Sequence, residues 1–175
     1  MEKSHILVLG VGNVLMSDEG VGVHCIHRLT ESFSFSENVR MLDGGTLGML
    51  LLGPISEAAS LIAVDCAIQG LAPGVISRLT VEELQAASCE KHSMHEVSFL
   101  EMLFIAKSMD YLPPTVIVAM EPLDITTTHI GLTAPVAGKF EGLCGSVLDE
   151  IKDAGGAFTP TSAGTKPWSF DLRRF

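Results

Sequence analysis

Apolar runs of strand length alternate with segments of helical period along most of this chain. His5–Gly10 (HILVLG) predicts a buried first strand, and Gly20–Leu29 a helix with Val21, Cys25, Ile26 and Leu29 near one face. Val39–Leu42 reads as a second strand. Thr46–Leu52 reads as a short helix stopped by Gly53-Pro54, and Leu61–Val64 as a third strand. Gly74–Thr80 predicts a fourth strand, after which Thr80 and Glu83 form a capping box that opens a helix. Ser93 and Glu96 form a second such box, opening a helix to about Met109, and Thr115–Met120 (TVIVAM) is the fifth strand. Val136, Phe140, Leu143, Val147, Leu148 and Ile151 fall at helical spacing, with Gly155 as the C-cap. Residues 156–175, rich in Gly, Thr, Ser and Pro, read as an irregular tail behind a single domain over 1–155.

Strand–helix alternation predicts an α/β fold, a mostly parallel five-stranded sheet with helices on both faces. Such sheets bind ligands beyond the carboxyl ends of their strands, where the strand order reverses. Acids stand at these ends: Asp18 and Glu19 after strand one, Asp43 after strand two, Asp65 after strand three and Glu121 after strand five. Taken singly, each is also an ordinary loop residue or helix cap. Asp65 differs, because it lies between Leu-Ile-Ala-Val and Cys-Ala-Ile; a buried carboxylate there needs a partner or a metal.

Charge narrows the function classes. With 11 Lys and Arg against 21 Asp and Glu in 175 residues, the net charge of −10 repels phosphate backbones and anionic headgroups, so neither nucleic acid nor a membrane surface is expected as a partner. The apolar runs Ile6–Met16 and Leu47–Ile55 fall short of the ~18 residues a membrane span requires. The start of the chain lacks a signal-peptide pattern, since Asp18 and Glu19 follow the apolar run where a cleavage site belongs. Cys25, Cys66, Cys89 and Cys144 form no CxxC pair; three of them sit in apolar segments, which points to core thiols in a reducing, cytoplasmic setting.

Several chemistries lack their residues. Gly10-x-Gly12 is not followed by the third glycine of a dinucleotide turn, and Asp18-Glu19 would repel a pyrophosphate. There is no phosphate-binding GxxxxGK[ST] and no GxSxG. His95-Glu96 is followed by Phe99 rather than the second histidine of a zinc protease. Cys89, His92 and His95 recur at spacing three but lack a fourth zinc ligand. His24 and His27 read as surface or boundary residues of the first helix. His95 falls in the first turn of its helix, where the dipole favours a neutral imidazole able to bind a metal or accept a proton. Glu19, Asp65 and His95 therefore make a two-oxygen, one-nitrogen set suited to Ni²⁺ or Zn²⁺ with positions left open.

The run Ile6–Val23 (ILVLGVGNVLMSDEGVGV) resembles the amino-terminal signature of the hydrogenase maturation endopeptidases. Leu42–Thr46 (LDGGT), the strand-end Asp65, Ser93-Met94-His95 and His129–Thr133 (HIGLT) resemble further blocks in the same order. The resemblance spans about residues 5–150. It implies a flavodoxin-like fold and a cytoplasmic protease that removes a C-terminal extension from the large-subunit precursor of a [NiFe] hydrogenase after nickel insertion. It implies no tightly held cofactor, nickel in the precursor serving as the recognition element. Its metal-contacting residues fall on Glu19, Asp65 and His95, and its DGGT acid on Asp43, the candidate for a general base or for orienting the site. Two other expectations remain open on the residues: a metal-independent acid endopeptidase in which Glu19 and Asp65 share a proton, and a non-enzymatic metal- or nucleotide-binding module. Cys89, His92 and the tail with Trp168 and Arg173-Arg174 have no assigned role.

Overall fold

The computed structural model describes residues 5–89 and 94–162; for 87–89 and 94–98 it describes helical backbone only. In chain order the elements are β1 (Ile6–Val11), α1 (Val21–Ser32), β2 (Phe33–Phe35), β3 (Val39–Gly45), α2 (Leu52–Glu57), β4 (Ser60–Cys66) and β5 (Ile76–Leu79). They continue with α3 (Val81–Cys89), α4 (Met94–Ser108), β6 (Thr115–Met120), α5 (Ala134–Ala137), α6 (Phe140–Asp153) and β7 (Phe158–Pro160).

Five strands form one sheet in the order β3-β1-β4-β6-β5, parallel except for β5 at the edge. This is the mixed, mostly parallel architecture expected from the alternation. β1 and β4 are buried on both faces, which is why they read as unbroken apolar runs rather than alternating ones. Ile6, Val8, Ile62 and Val64 pack against α1 and α6, while Leu7, Leu9, Leu61 and Ala63 pack under α2, α3 and α4. Helix α1 comes against the sheet backbone to backbone: a Cβ on Gly22 would lie 2.1 Å from the Val64 carbonyl oxygen. The chain runs from β1 to β3 on one side and then crosses to β4 on the other, so the order reverses between β1 and β4.

Cys25, Cys66 and Cys144 are buried thiols, not disulfide-bonded, as core residues. Cys25 and Cys144 lie 3.7 Å apart, and their hydrogen bond and burial push the Cys25 thiol well up. The Thr80–Glu83 capping box forms in both directions: Glu83 N–H donates to Thr80 Oγ1 at 3.2 Å and Thr80 N–H to Glu83 Oε2 at 2.7 Å.

Two expectations change. The helix expected over Thr46–Leu52 is a 3₁₀ turn, Gly48–Leu51, leading into α2, which runs through Gly53-Pro54 to Glu57. Pro54 falls in the first turn of α2, where its missing N–H has no helical partner to lose. The segment past Gly155 is not wholly irregular, since β7 pairs antiparallel with β2. Phe33 and Phe158 hold that ribbon edge to face at 5.2 Å between ring centroids. Three-residue strands are too short to show a period of two. The Ser93 end of the second capping box, His92, Trp168 and Arg173-Arg174 lie outside the described residues.

Candidate active site

The carboxyl edge of the sheet gathers the strand-end acids. β1 breaks at Gly12, whose φ of 125° is open to glycine, and whose N–H donates to the Gly45 carbonyl at 3.0 Å. The chain then climbs into a 3₁₀ turn, Ser17–Gly20, that is buried throughout and packs against β4. Glu19 sits in this turn with 6% exposure, and Asp65, one residue before the end of β4, has 5%. Asp65 Oδ1 accepts the N–H of Cys66 at 2.8 Å. By strand alternation Asp65 shares a face with Leu61 and Ala63, the face covered by α4. Helix α4 begins at Met94, so His95 lies in its first turn; the side chain of His95 is outside the described set. Among the described residues no three His, Cys, Asp or Glu side chains group as a metal site. The structure therefore brings Glu19 and Asp65 to one edge, and the third member of the set is placed by its helix alone.

Asp43 lies level with Gly10 of β1, as does Val64, the residue before Asp65. The two acids thus flank β1, about 10 Å apart by strand spacing. They face opposite layers, because Asp43 alternates with Leu42 and turns toward α1. There Asp43 Oδ2 meets His27 Nε2 at 2.7 Å, and its Oδ1 accepts the Gly45 N–H at 3.0 Å. His27, expected at the surface or boundary, is the partner of the strand-end acid.

His24, one turn earlier, corrects the same expectation: it is 3% exposed. Burial above all, then the charge of His27, lowers its pKa to about 4 against the opposing pull of Asp43. It is a neutral imidazole at pH 7.

Two acids proved to have a different use from the rest. Glu121, 4% exposed, accepts the N–H groups of Gln69 at 2.7 Å and Gly70 at 3.1 Å, which fixes the loop after β4. Asp18 is fully buried and binds the segment between β6 and α5. In the sequence Asp18 is one of two adjacent acids, and nothing local separates it from Glu19. The signal that could have found it is the joint presence of the SDE and HIGLT blocks. Ser17 N–H donates to His129 O at 2.8 Å and His129 N–H to Leu15 O at 3.0 Å, so the two blocks are halves of one hydrogen-bonded unit.

Residues 23–150 match the family model HycI, hydrogenase maturation protease. The chain belongs to the hydrogenase maturation protease family. It is 34% identical over 153 residues to the hydrogenase expression/formation protein HupD of Rhodobacter capsulatus, covering 86% of this chain and 73% of that protein. It is 33% identical to the hydrogenase 2 maturation protease of Escherichia coli, over 90% of this chain and 97% of the relative. Among solved structures, the hydrogenase maturating endopeptidase HybD from E. coli superposes with a TM-score of 0.83 at 34% identity, covering 90% of this chain and 98% of that one.

As a hydrogenase maturation protease the chain is a peptidase, and its edge chemistry is that of carboxylates. The thiols of Cys25, Cys66 and Cys144 are buried in the core, Cys66 at the end of β4 directly after Asp65. A carboxylate held at a crevice can take a proton from water or contact a cation, and both uses suit peptide hydrolysis.

Proposed function

We propose that this chain removes the C-terminal extension from the large-subunit precursor of a [NiFe] hydrogenase after nickel insertion, and that it reads nickel in its substrate through Glu19, Asp65 and His95. The observation that carries the reading is the pair of buried carboxylates, Glu19 and Asp65, at the carboxyl edge where strand order reverses. The first turn of α4, with His95, lies on the face toward which Asp65 alternates. Contact with substrate nickel would fix the scissile peptide by proximity. Asp43, held by His27 and Gly45, is the group for orienting the substrate or for taking the proton of the attacking water.

A set of two carboxylates and one imidazole is open, so the free protein holds nickel weakly and meets it on the precursor. Leu47, Met49 and Leu50 stand exposed after β3, and Leu15 after β1, at the same edge, which suits docking against a folded protein. The described thiols, buried as reduced cysteines, support a reducing compartment, the cytoplasm. Among the described residues no helix is long and apolar enough to cross a membrane.

The deciding experiment mixes the protein with nickel-loaded and nickel-free precursor and follows the released peptide by mass. Release from the loaded form alone is the expected result. Equal cleavage of both supports an acid endopeptidase in which Glu19 and Asp65 share a proton, and no cleavage overturns the reading. Asp65→Asn and Glu19→Gln each lower processing at least about a hundredfold while the melting temperature holds or rises, because a desolvated charge is removed. His95→Ala abolishes processing with little change in melting temperature.

A further inference from the structure

We propose that Asp18 is a positioning residue for Glu19, an inference that rests on the role of Glu19 proposed above. The Asp18 carboxylate has no exposure to solvent and accepts four hydrogen bonds. Oδ1 takes the Thr133 N–H at 2.7 Å. Oδ2 takes the N–H of Leu123 at 2.9 Å, the N–H of Asp124 at 3.1 Å and the Thr133 hydroxyl at 2.8 Å. Three of these bonds fall on Oδ2 and one on Oδ1, and with no solvent exposure neither oxygen faces a water or a metal arriving from outside. The group at Asp18 is thereby excluded from the chemistry and left with one use, which is to hold its neighbours.

What it holds is the turn bearing Glu19. Asp18 N–H also donates to the Asp124 carbonyl at 3.0 Å, so the residue is tied to the segment 121–133 through backbone and side chain together. Ser17, just before it, sits at φ 53°, a left-handed conformation that costs a non-glycine residue energy and persists only where neighbours impose it. From the sheet side, Gly12 presses the same turn: a Cβ there would lie 1.8 Å from the Glu19 carbonyl oxygen. Glu19 is therefore set from beneath by Gly12 and from the far side by the Asp18 anchor.

Thr133 is used for this anchor and not as a side-chain cap. It occupies the N-cap of α5, where a threonine hydroxyl ordinarily accepts a hydrogen bond from the helix backbone, yet it makes no such cap. Its hydroxyl donates to Asp18 instead.

The test is the kinetics of peptide release from nickel-loaded precursor, with the melting temperature measured in parallel. Thr133→Val removes the hydroxyl while keeping the shape and the N–H, and Thr133→Ser keeps the hydroxyl. The expected result is a fall of about tenfold in kcat for Thr133→Val with KM within twofold, and recovery in Thr133→Ser, since a small displacement of a reacting group costs rate more than binding. Asp18→Asn, assayed where circular dichroism shows it folded, is expected to lose more than Thr133→Val; if it does not fold, the threonine pair decides. Wild-type kcat in Thr133→Val overturns the proposal, and so does a rise in KM alone, which would mean that Asp18 arranges the loop and not Glu19. If Glu19→Gln still processes at the wild-type rate, the role of Glu19 fails and this inference with it. If Glu19→Gln is inactive while Thr133→Val is unaffected, only this inference falls.

Discussion

The turn after β1 and the end of β3 each place an acid at the same edge of the sheet, close to glycines, and they use it in opposite ways. Asp18 is closed to solvent and gathers donors from a segment more than a hundred residues away in sequence. Asp43 is 42% exposed at its side chain and is held within its own turn by Gly45 and across one helix by His27. The buried acid can organise but not react; the exposed one can meet water and substrate. The glycines repeat the contrast. Gly12 is enclosed by the Glu19 backbone, whereas the nearest atom to a Cβ on Gly45 is 3.7 Å away. In this family member, rigidity is concentrated behind Glu19, and Asp43 stands at the mouth.

The strongest break of that contrast is at the glycines. Gly12→Ala is expected to destabilise by more than about 4 kcal/mol, because backbone must move, and Gly45→Ala by about 1 kcal/mol for its left-handed φ of 43° alone. Equal urea midpoints for the two variants would show that the turns are equally constrained. Asp18→Ala comes next, at about 3 kcal/mol from buried donors left unanswered. Asp43→Ala should cost less than about 1 kcal/mol, as its pair is partly solvated.

His24 sharpens the comparison through pH. Its Nε2 would lie 3.2 Å from a Cβ on Gly20, behind the first turn, and it feels the charge of Asp43 from the second. Its pKa in the folded protein, about 4, is below the ordinary 6.5, so the unfolded chain binds the extra proton between those values. The stability it allows is whole above pH 6.5 and is lost as pH falls toward 4, about 3 kcal/mol in all. Chemical denaturation across that window should lose this slope in His24→Gln; an unchanged slope would assign it to other groups. The smallest effect belongs to His27→Ala, within about 1 kcal/mol and weaker at high salt, because both partners are partly exposed.

Much of the frame was legible because local chemistry and global fold agree. Ile6–Val11, Ser60–Cys66 and Thr115–Met120 lie in the middle of the sheet and are apolar on both faces, so each strand could be read without its neighbours. Thr80 and Glu83 close a local motif that needs no partner. The place of Glu19 and Asp65 at the carboxyl edge was legible since alternation fixes a parallel sheet, and the sheet fixes where strand ends meet. The β2–β7 ribbon was not, because its aromatic contacts join residues more than a hundred positions apart. His24 and His27 lie one turn apart on the same helix. Only the packing of α1 made one a buried neutral imidazole and the other the partner of Asp43.

By itself, then, the sequence determined the order and type of the main elements, the acidic edge and the family, because apolar period, caps and motif blocks are local properties of the chain. The tertiary structure alone decided which of the neighbouring acids Asp18 and Glu19 ties the turn to the segment between β6 and α5. That choice depends on donors at Leu123, Asp124 and Thr133, and burial by a distant segment leaves no mark on the residues it covers.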